Sequence, residues 1–315
     1  MKLAIIGAGK IVHDFLTIAD QIPDLQVVAI AGTPNDESTL KDLQGKYGIQ
    51  KTYLDAQLAM QDPDVDTIYV AVPNSLHFTI AQAALTAGKN VICEKPFVNT
   101  RQEAEALKQI ADAKGVLLLE AITNQYLENF TAIQQALPTL GPVRIAYFNY
   151  SQYSSRYDAF KQGTILPAFD PQKGGGALMD LNIYNIHLAV GLFGEPASVS
   201  YAPNIQRGVD TSGILSLQYP NMQVVCIAAK DADGPSIGVI EGEQATLTLN
   251  GAPNTLPSVT IHGKTLNANH HTHRMVAEFT RFAQMIAEHD TNACDQAFEH
   301  SAAVLDVLAQ ARNNK

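Results

Sequence analysis

Cysteine is scarce and unpatterned in this chain: Cys93, Cys226 and Cys294 are three, odd in number and far apart. That excludes a disulfide framework and a metal knuckle, and the thiols read as small buried hydrophobes. Positive charge is also in deficit, with 21 Lys and Arg against 31 Asp and Glu, for a formal charge of −10. Nucleic acids and anionic membrane surfaces are held by clustered cations, and no basic stripe is present, so neither is expected as a partner. No apolar run approaches the ~18 residues of a membrane span. Met1 leads straight into a strand-like Lys2–Ile6 without a charged leader and cleavage site, so no signal peptide is expected and the cytoplasm is the expected location. Internal repeats, low-complexity tracts and long Gly/Ser/Pro linkers are missing too, so two domains would be joined tightly.

What is present is a chain of 315 residues, 46% hydrophobic and 17% charged, enough for one large or two ordinary cores. Its first third alternates short apolar runs with amphipathic segments. Residues 2–6 are followed by Gly7-Ala8-Gly9 and a helical segment over 10–20. Glycines at 7 and 9 allow a tight turn and let the backbone approach a pyrophosphate, whose charge meets the N–H groups of Lys10 and Ile11 at the helix start. Val12 stands where the fingerprint has a third small residue. A strand over 25–31 ends at Gly32-Thr33-Pro34, where an NAD-selective site would place an acid on the ribose 2′-hydroxyl. No acid stands there, Asp36 and Glu37 read as the opening of the next helix, and the uncharged strand end leans the reading to NADP over NAD.

Strand 67–72 ends in Val72-Pro73-Asn74, with His77 opening a helix, and Val91-Ile92-Cys93 stops abruptly at Glu94-Lys95-Pro96. In open parallel sheets ligands lie beyond the carboxyl ends of the strands, so this run reads as a strand delivering Lys95 to a cleft. Helix 100–114 and strand 116–119 close the first domain. The expected fold is an N-terminal Rossmann doubly wound parallel sheet over 1–120, plus a C-terminal α+β domain over 121–315 with a large, mostly antiparallel open sheet. The second half supports this through strand-like segments at 143–153, 197–205, 211–219, 223–229, 236–241, 245–249 and 258–261, with closing helices over 274–289 and 295–312. The open face of that sheet needs cover, for which self-association as a homodimer or dimer of dimers is the simplest source.

Within the second domain lies a helical segment over 177–193, led by Gly174-Gly175-Gly176. On an ideal helix Asp180, Tyr184 and His187 fall within about 60° of one another, apart from a Leu178/Leu181/Leu188/Leu192 sector, so they read as a polar stripe facing away from the core. Tyr153 stands at a strand end as either cleft or core aromatic. His77 and His187 read as contacts to substrate or nicotinamide, or as structural histidines satisfied by backbone. His270-His271-x-His273 lacks carboxylate or cysteine partners at ligand spacing and reads as an exposed helix lead-in, with no metal expected.

In order along the chain stand Gly7-Ala8-Gly9, Val72-Pro73-Asn74 with His77, Ala87-Gly88-Lys89, Glu94-Lys95-Pro96 and Gly174-Gly175-Gly176-Ala177-Leu178-Met179-Asp180. This set resembles the Gfo/Idh/MocA family, the glucose–fructose oxidoreductase and inositol dehydrogenase group, across essentially the whole chain. The resemblance implies a nicotinamide-binding Rossmann domain, a second domain used for dimerisation, and Lys95 beside the nicotinamide. Four positions after Asp180 the inositol dehydrogenase branch has His, and this chain has Tyr184, as in the glucose–fructose oxidoreductase and dihydrodiol dehydrogenase branches, where the tyrosine is a candidate proton donor. Asn182 stands where a Gly is common and Gln125 where many members have Arg.

The expected activity is reversible hydride transfer between nicotinamide and a hydroxyl- or carbonyl-bearing carbon of a neutral sugar, polyol or cyclic diol. Tyr184 exchanges the proton, Lys95 lowers its pKa and stabilises developing oxygen charge, and Asp180 holds the substrate or Lys95. Gln125, Tyr153 and His187 complete the expected substrate contacts. The variant with Lys95 itself as acid/base stays open, as does a non-catalytic dinucleotide sensor of the same fold.

Overall fold

The computed structural model describes residues 1–313. Contacts group the chain into two units, Met1–Ala121 with Met275–Ala302, and Ile122–Arg274 with the residues from Ala303 onward.

In the first unit, β1 (Lys2–Ile6), α1 (Lys10–Leu16), β2 (Gln26–Ala31), α2 (Glu37–Tyr47), β3 (Lys51–Tyr53), α3 (Ala56–Gln61), β4 (Thr67–Val70), α4 (His77–Thr86), β5 (Asn90–Glu94), α5 (Arg101–Lys114) and β6 (Leu118–Ala121) alternate. The strands form one parallel sheet in the order β3-β2-β1-β4-β5-β6, a doubly wound Rossmann sheet whose winding reverses between β1 and β4. Near-continuous apolar runs suit strands covered on both faces: all of β4, and β1 after Lys2, are buried. Helix α5 starts where the Thr100 side chain accepts from Glu103 N, and ends at Gly115 with φ +63. Phe15 of α1, Tyr69 of β4 and Phe279 form a buried aromatic cluster, Phe15 and Phe279 having ring centroids 4.4 Å apart. Each such ring removed from water is worth about 2 kcal/mol.

The second unit opens with α6 (Glu128–Ala136), β7 (Val143–Ser151) and the short α7 (Tyr157–Lys161). A π-helical turn over Leu178–Asn182 then runs into α8 (Ile183–Phe193). Strands β8 (Ser198–Gln206), β9 (Val209–Gln218), β10 (Gln223–Ala229), β11 (Ile237–Gly242), β12 (Thr246–Asn250), β13 (Ser258–Ile261) and β14 (Lys264–Leu266) complete an eight-stranded sheet with β7, in the order β14-β13-β12-β11-β7-β10-β9-β8. Every pair is antiparallel except β7 with β10. Ala146, Phe148 and Tyr150 of β7 are buried on one face, while Ile145 of β7 and Ile214 of β9 are each 48% exposed. The apolar alternation therefore leaves one sheet face open.

Two helices close the chain, α9 (Arg274–Glu288) and α10 (Thr291–Asn313). Helix α10 begins four residues before the expected 295, because Asp290 Oδ1 caps Ala293 N at 3.0 Å. The division between the units falls within this helix, after Ala302. The three cysteines are free and buried, as their scarcity suggested. Among the described residues no helix is long and apolar enough to cross a membrane.

Candidate functional site

Three strand ends of the first unit, at Gly7, Ala71 and Glu94, lie on neighbouring strands astride the switch point. Gly7 has φ +127, donates its N–H to Ala31 O at 2.8 Å, and leaves no room for a side chain: a Cβ would sit 2.8 Å from the Ala71 carbonyl carbon and nearer still to its oxygen. Gly9 differs. It is exposed, its backbone is extended (φ −79), and a Cβ there would meet nothing within 4 Å. That open cradle at the start of α1 is the space a pyrophosphate needs, so the residues present fit a dinucleotide. Lys10 is exposed and Ile11 half-buried beside it, and Val12 is fully buried, filling with an apolar side chain the place of the third small residue.

At the end of β2, Asp36 does open the following helix. Its Oδ2 accepts from Thr33 N at 2.8 Å and from Thr33 Oγ1 at 2.7 Å, a capping box that occupies the Thr33 hydroxyl beside half-buried Gly32. Beyond β4, half-buried Val72 and Asn74 flank exposed Pro73. His77 is 0% exposed, with Nε2 2.9 Å from Val72 O and Nδ1 2.9 Å and 3.2 Å from Pro96 O and Phe97 O. The ring thus ties the segment after β4 to the segment after β5. Burial lowers its pKa against the opposing pull of those carbonyls. Buried Glu94 Oε1 accepts from Tyr69 OH at 2.6 Å, Glu120 Oε1 accepts from Phe97 N at 2.9 Å, and the Lys95–Pro96 bond is cis. Lys95 stands half-buried at the strand's carboxyl end, between those two anchored neighbours.

The second unit gathers another set. Gly175 and Gly176 are forced by close packing: a Cβ on Gly175 would lie 2.6 Å from Pro167 O, and one on Gly176, whose φ is +122, would run into the Asp210 carboxylate. Asp210, buried, accepts at Oδ2 from Leu178 N and from Tyr201 OH, both at 2.7 Å, and so caps the start of the π-helical turn. Burial, then the Asp210 charge, push the Tyr201 phenol well above its usual range. In that turn Asp180 pairs with Lys230, Nζ to Oδ2 2.8 Å, and the Lys230 ammonium also donates to Ala168 O and sits 4.5 Å from the Phe169 ring centroid. Tyr184 is half-buried, its ring edge-on to Tyr150 at 6.0 Å between centroids.

The expected polar stripe does not face away from the core along its whole length. His187 is 0% exposed, as are Asn182 and Asn185, and the wide π turn breaks the 3.6-residue period on which the stripe was drawn. Gln125 and Asn124 brace the backbone of α8: Asn124 Nδ2 donates to Tyr184 O at 2.9 Å and Gln125 Nε2 to His187 O at 3.1 Å. Tyr153 is exposed, its hydroxyl donating to Asp158 at 2.8 Å and accepting from Lys161 at 3.0 Å. His270 lies 3.1 Å from Glu128, a carboxylate that the sequence did not offer it. Among the described residues no group of His, Cys, Asp and Glu could hold a metal ion. Sequence reasoning missed Lys230, Asp210 and Asn124. A signal for the first was present, since Lys230 ends an apolar strand just as Lys95 does.

Comparison with known proteins agrees with this architecture. Residues 1–122 match the family model described as "Oxidoreductase family, NAD-binding Rossmann fold", and residues 138–252 match that of the "GFO/IDH/MocA C-terminal domain". Among curated proteins the chain is 32% identical over 319 residues to scyllo-inositol 2-dehydrogenase (NADP(+)) of Bacillus subtilis, covering 99% of this chain and 96% of that one. It is 32% identical over 228 residues to trans-1,2-dihydrobenzene-1,2-diol dehydrogenase of Macaca fascicularis, covering 70% of this chain and 65% of the other. A crystal structure of a 3-ketoreductase from Actinomadura kijaniata with NADP and TDP-benzene shares the fold, with TM-score 0.86 at 22% identity over 100% of this chain and 97% of that one.

Proposed function

This chain belongs to the Gfo/Idh/MocA family of NAD(P)-dependent oxidoreductases acting on CH–OH groups, and from that premise we propose reversible oxidation of a neutral sugar, polyol or cyclic diol. The observation that carries the reading is the junction of β1, β4 and β5: an open cradle at Gly9, a backbone-filled wedge at Gly7, and Lys95 delivered by a strand end that His77 and Glu120 anchor. NADP is favoured over NAD, supported by the NADP-dependent inositol dehydrogenase relative and by the engagement of Asp36 with Thr33.

When bound, the nicotinamide supplies or takes up the hydride. The chain's own residues handle the proton and the charge. Tyr184 exchanges the substrate hydroxyl proton, and Lys95 contributes a positive charge that stabilises oxygen charge in the transition state. Help of this kind is worth about 3–4 kcal/mol at a preorganised site. Asp180, fixed by Lys230, accepts a hydrogen bond from the substrate, while Gln125 and His187 act by setting the position of α8. Gly7, Gly9, Lys10, Ile11, Gly32, Thr33, Val72, Pro73, Asn74, His77 and Glu94 form or support the dinucleotide cradle. Residues 1–120 are the dinucleotide domain in this reading, and the rest carries substrate binding and self-association. A homodimer through the open sheet face is supported by exposed Ile145 and Ile214 beside half-buried Tyr147, Val225 and Ile227. Three buried free thiols support a cytoplasmic location, and the charge of −10 supports a small-molecule partner rather than nucleic acid.

The test is turnover of a polyol, aldose and cyclic diol panel with NAD and NADP by wild type, Tyr184→Phe and Lys95→Ala. A lost proton donor should lower kcat by about 10²–10⁴-fold. Near-normal Tyr184→Phe turnover removes the tyrosine from the chemistry and leaves Lys95 as acid/base. Near-normal Lys95→Ala removes both schemes.

A further inference from the structure

Lys230 is 2% exposed, and it stands one residue beyond the end of β10. Burying an ammonium is costly, and an apolar side chain of the same length would fill the space without that penalty. The start of the neighbouring turn is capped separately, by Asp210, which also accepts from the Tyr201 hydroxyl. The ammonium goes instead to a side chain: Nζ meets Asp180 Oδ2 at 2.8 Å while Ala168 O and the Phe169 ring enclose its other sides. The pair is lopsided in exposure, 3% for the lysine side chain and 37% for the aspartate.

Resting on the reading of Asp180 as a substrate contact, we infer that Lys230 is a positioning residue that also sets specificity: it holds Asp180 as a charge-compensated acceptor, so the site selects uncharged substrates that present a hydroxyl hydrogen. An ionised carboxylate only accepts hydrogen bonds, so a carbonyl oxygen at that point finds no donor in Asp180. Pairing cancels the two residues' own contributions to the field at that point, which the carboxylate by itself would turn toward cationic ligands and the ammonium by itself toward anionic ones. Three enclosing elements, the β10 end, the 168–169 loop and the π turn, hold the geometry in advance of binding.

The test uses the full chain with its cofactor and a matched substrate series: a neutral polyol or aldose, its amino-substituted analogue and its carboxylated analogue. Lys230→Met should raise KM for the neutral substrate about 10-fold or more, the range of one charge-assisted hydrogen bond. Its kcat should stay within about 3-fold of wild type, and cofactor affinity by fluorescence titration should not change. Preference should swing toward the amino analogue in Lys230→Met and toward the carboxylated analogue in Asp180→Asn. The double variant should be no worse on the neutral substrate than the poorer single one, because the two act as a unit. Unchanged preference among the three analogues in Lys230→Met overturns the inference, as do independent, multiplying losses. Should Lys230→Met fail to fold, Asp180→Asn alone decides, and an unchanged analogue preference there overturns it. A wild type that turns over the series beside an indifferent Lys230→Met sinks this inference alone. A wild type that turns over nothing sinks the functional reading and this one with it.

Discussion

Replacing each glycine of the first turn by alanine should separate folding from binding. At Gly7 an added methyl collides with the Ala71 carbonyl, its carbon 2.8 Å away, and Ala71 is itself tied to β1 through its N–H, which donates to Ile6 O at 2.9 Å. Overpacking of a rigid site costs about 1–3 kcal/mol, and a side chain in the left-handed region at φ +127 adds about 1–2 kcal/mol. The sum, about 2–5 kcal/mol, should lower the melting temperature by about 4–20 °C at 2–4 °C per kcal/mol. At Gly9 the methyl meets nothing within 4 Å and φ is −79, so the melting temperature should hold. The methyl instead occupies the approach to the cradle. Loss of one charge-assisted hydrogen bond to a phosphate corresponds to about 10–100-fold in cofactor Kd. Differential scanning fluorimetry without cofactor and a fluorescence titration with NADPH read the two effects apart. A Gly7→Ala protein that melts with wild type, or a Gly9→Ala protein that binds cofactor as wild type does, refutes the geometry drawn here.

Burial holds the His77 imidazole below its ordinary 6.5. The unfolded chain therefore takes up the proton more readily, so the stability that His77 contributes is intact above pH 6.5 and shrinks as the pH falls below that value. Melting temperatures between pH 7.5 and 5.5 should fall more steeply for wild type than for His77→Gln, and equal slopes would refute the assignment. Asp210→Ala leaves the Leu178 N–H and the Tyr201 hydroxyl buried without their acceptor, at about 1–3 kcal/mol each. Urea midpoints should show that loss, together with a raised substrate KM as the π turn loosens, and an unshifted midpoint counts against the cap.

Much of the first unit is legible from pattern, since apolar runs of four to six residues between amphipathic helices admit few other folds. β13 lies where its residues placed it, and the glycine turn, the β5 terminus and the helix start at Asp36 follow from local chemistry. The stripe on 177–193 was misread because a π turn cannot be seen in a hydrophobic pattern. The turn starts where Gly175 packs against residues 167–170, Gly176 packs against Asp210, and Leu178 N donates to Asp210, 32 residues further on. The bracing by Gln125 and Asn124 was not legible for a similar reason: their partners are backbone carbonyls about sixty positions away, which leave no trace in composition. Lys230 was overlooked although the rule that found Lys95 applies to it.

The single co-directional pair in the large sheet, β7 with β10, brings two chain segments out at the same rim, where Ser154 N donates to Lys230 O at 2.9 Å. Lys230 leaves the sheet at that rim, its own N–H bonded to Thr211 O of β9 at 2.8 Å, so the working edge draws on β7 and on the strands from β10 to β8. The terminal β13–β14 hairpin, separated from β7 by β11 and β12, is therefore at liberty to change length, twist or surface charge while the working edge keeps its shape. That makes it the natural place to graft new recognition loops in an engineered variant.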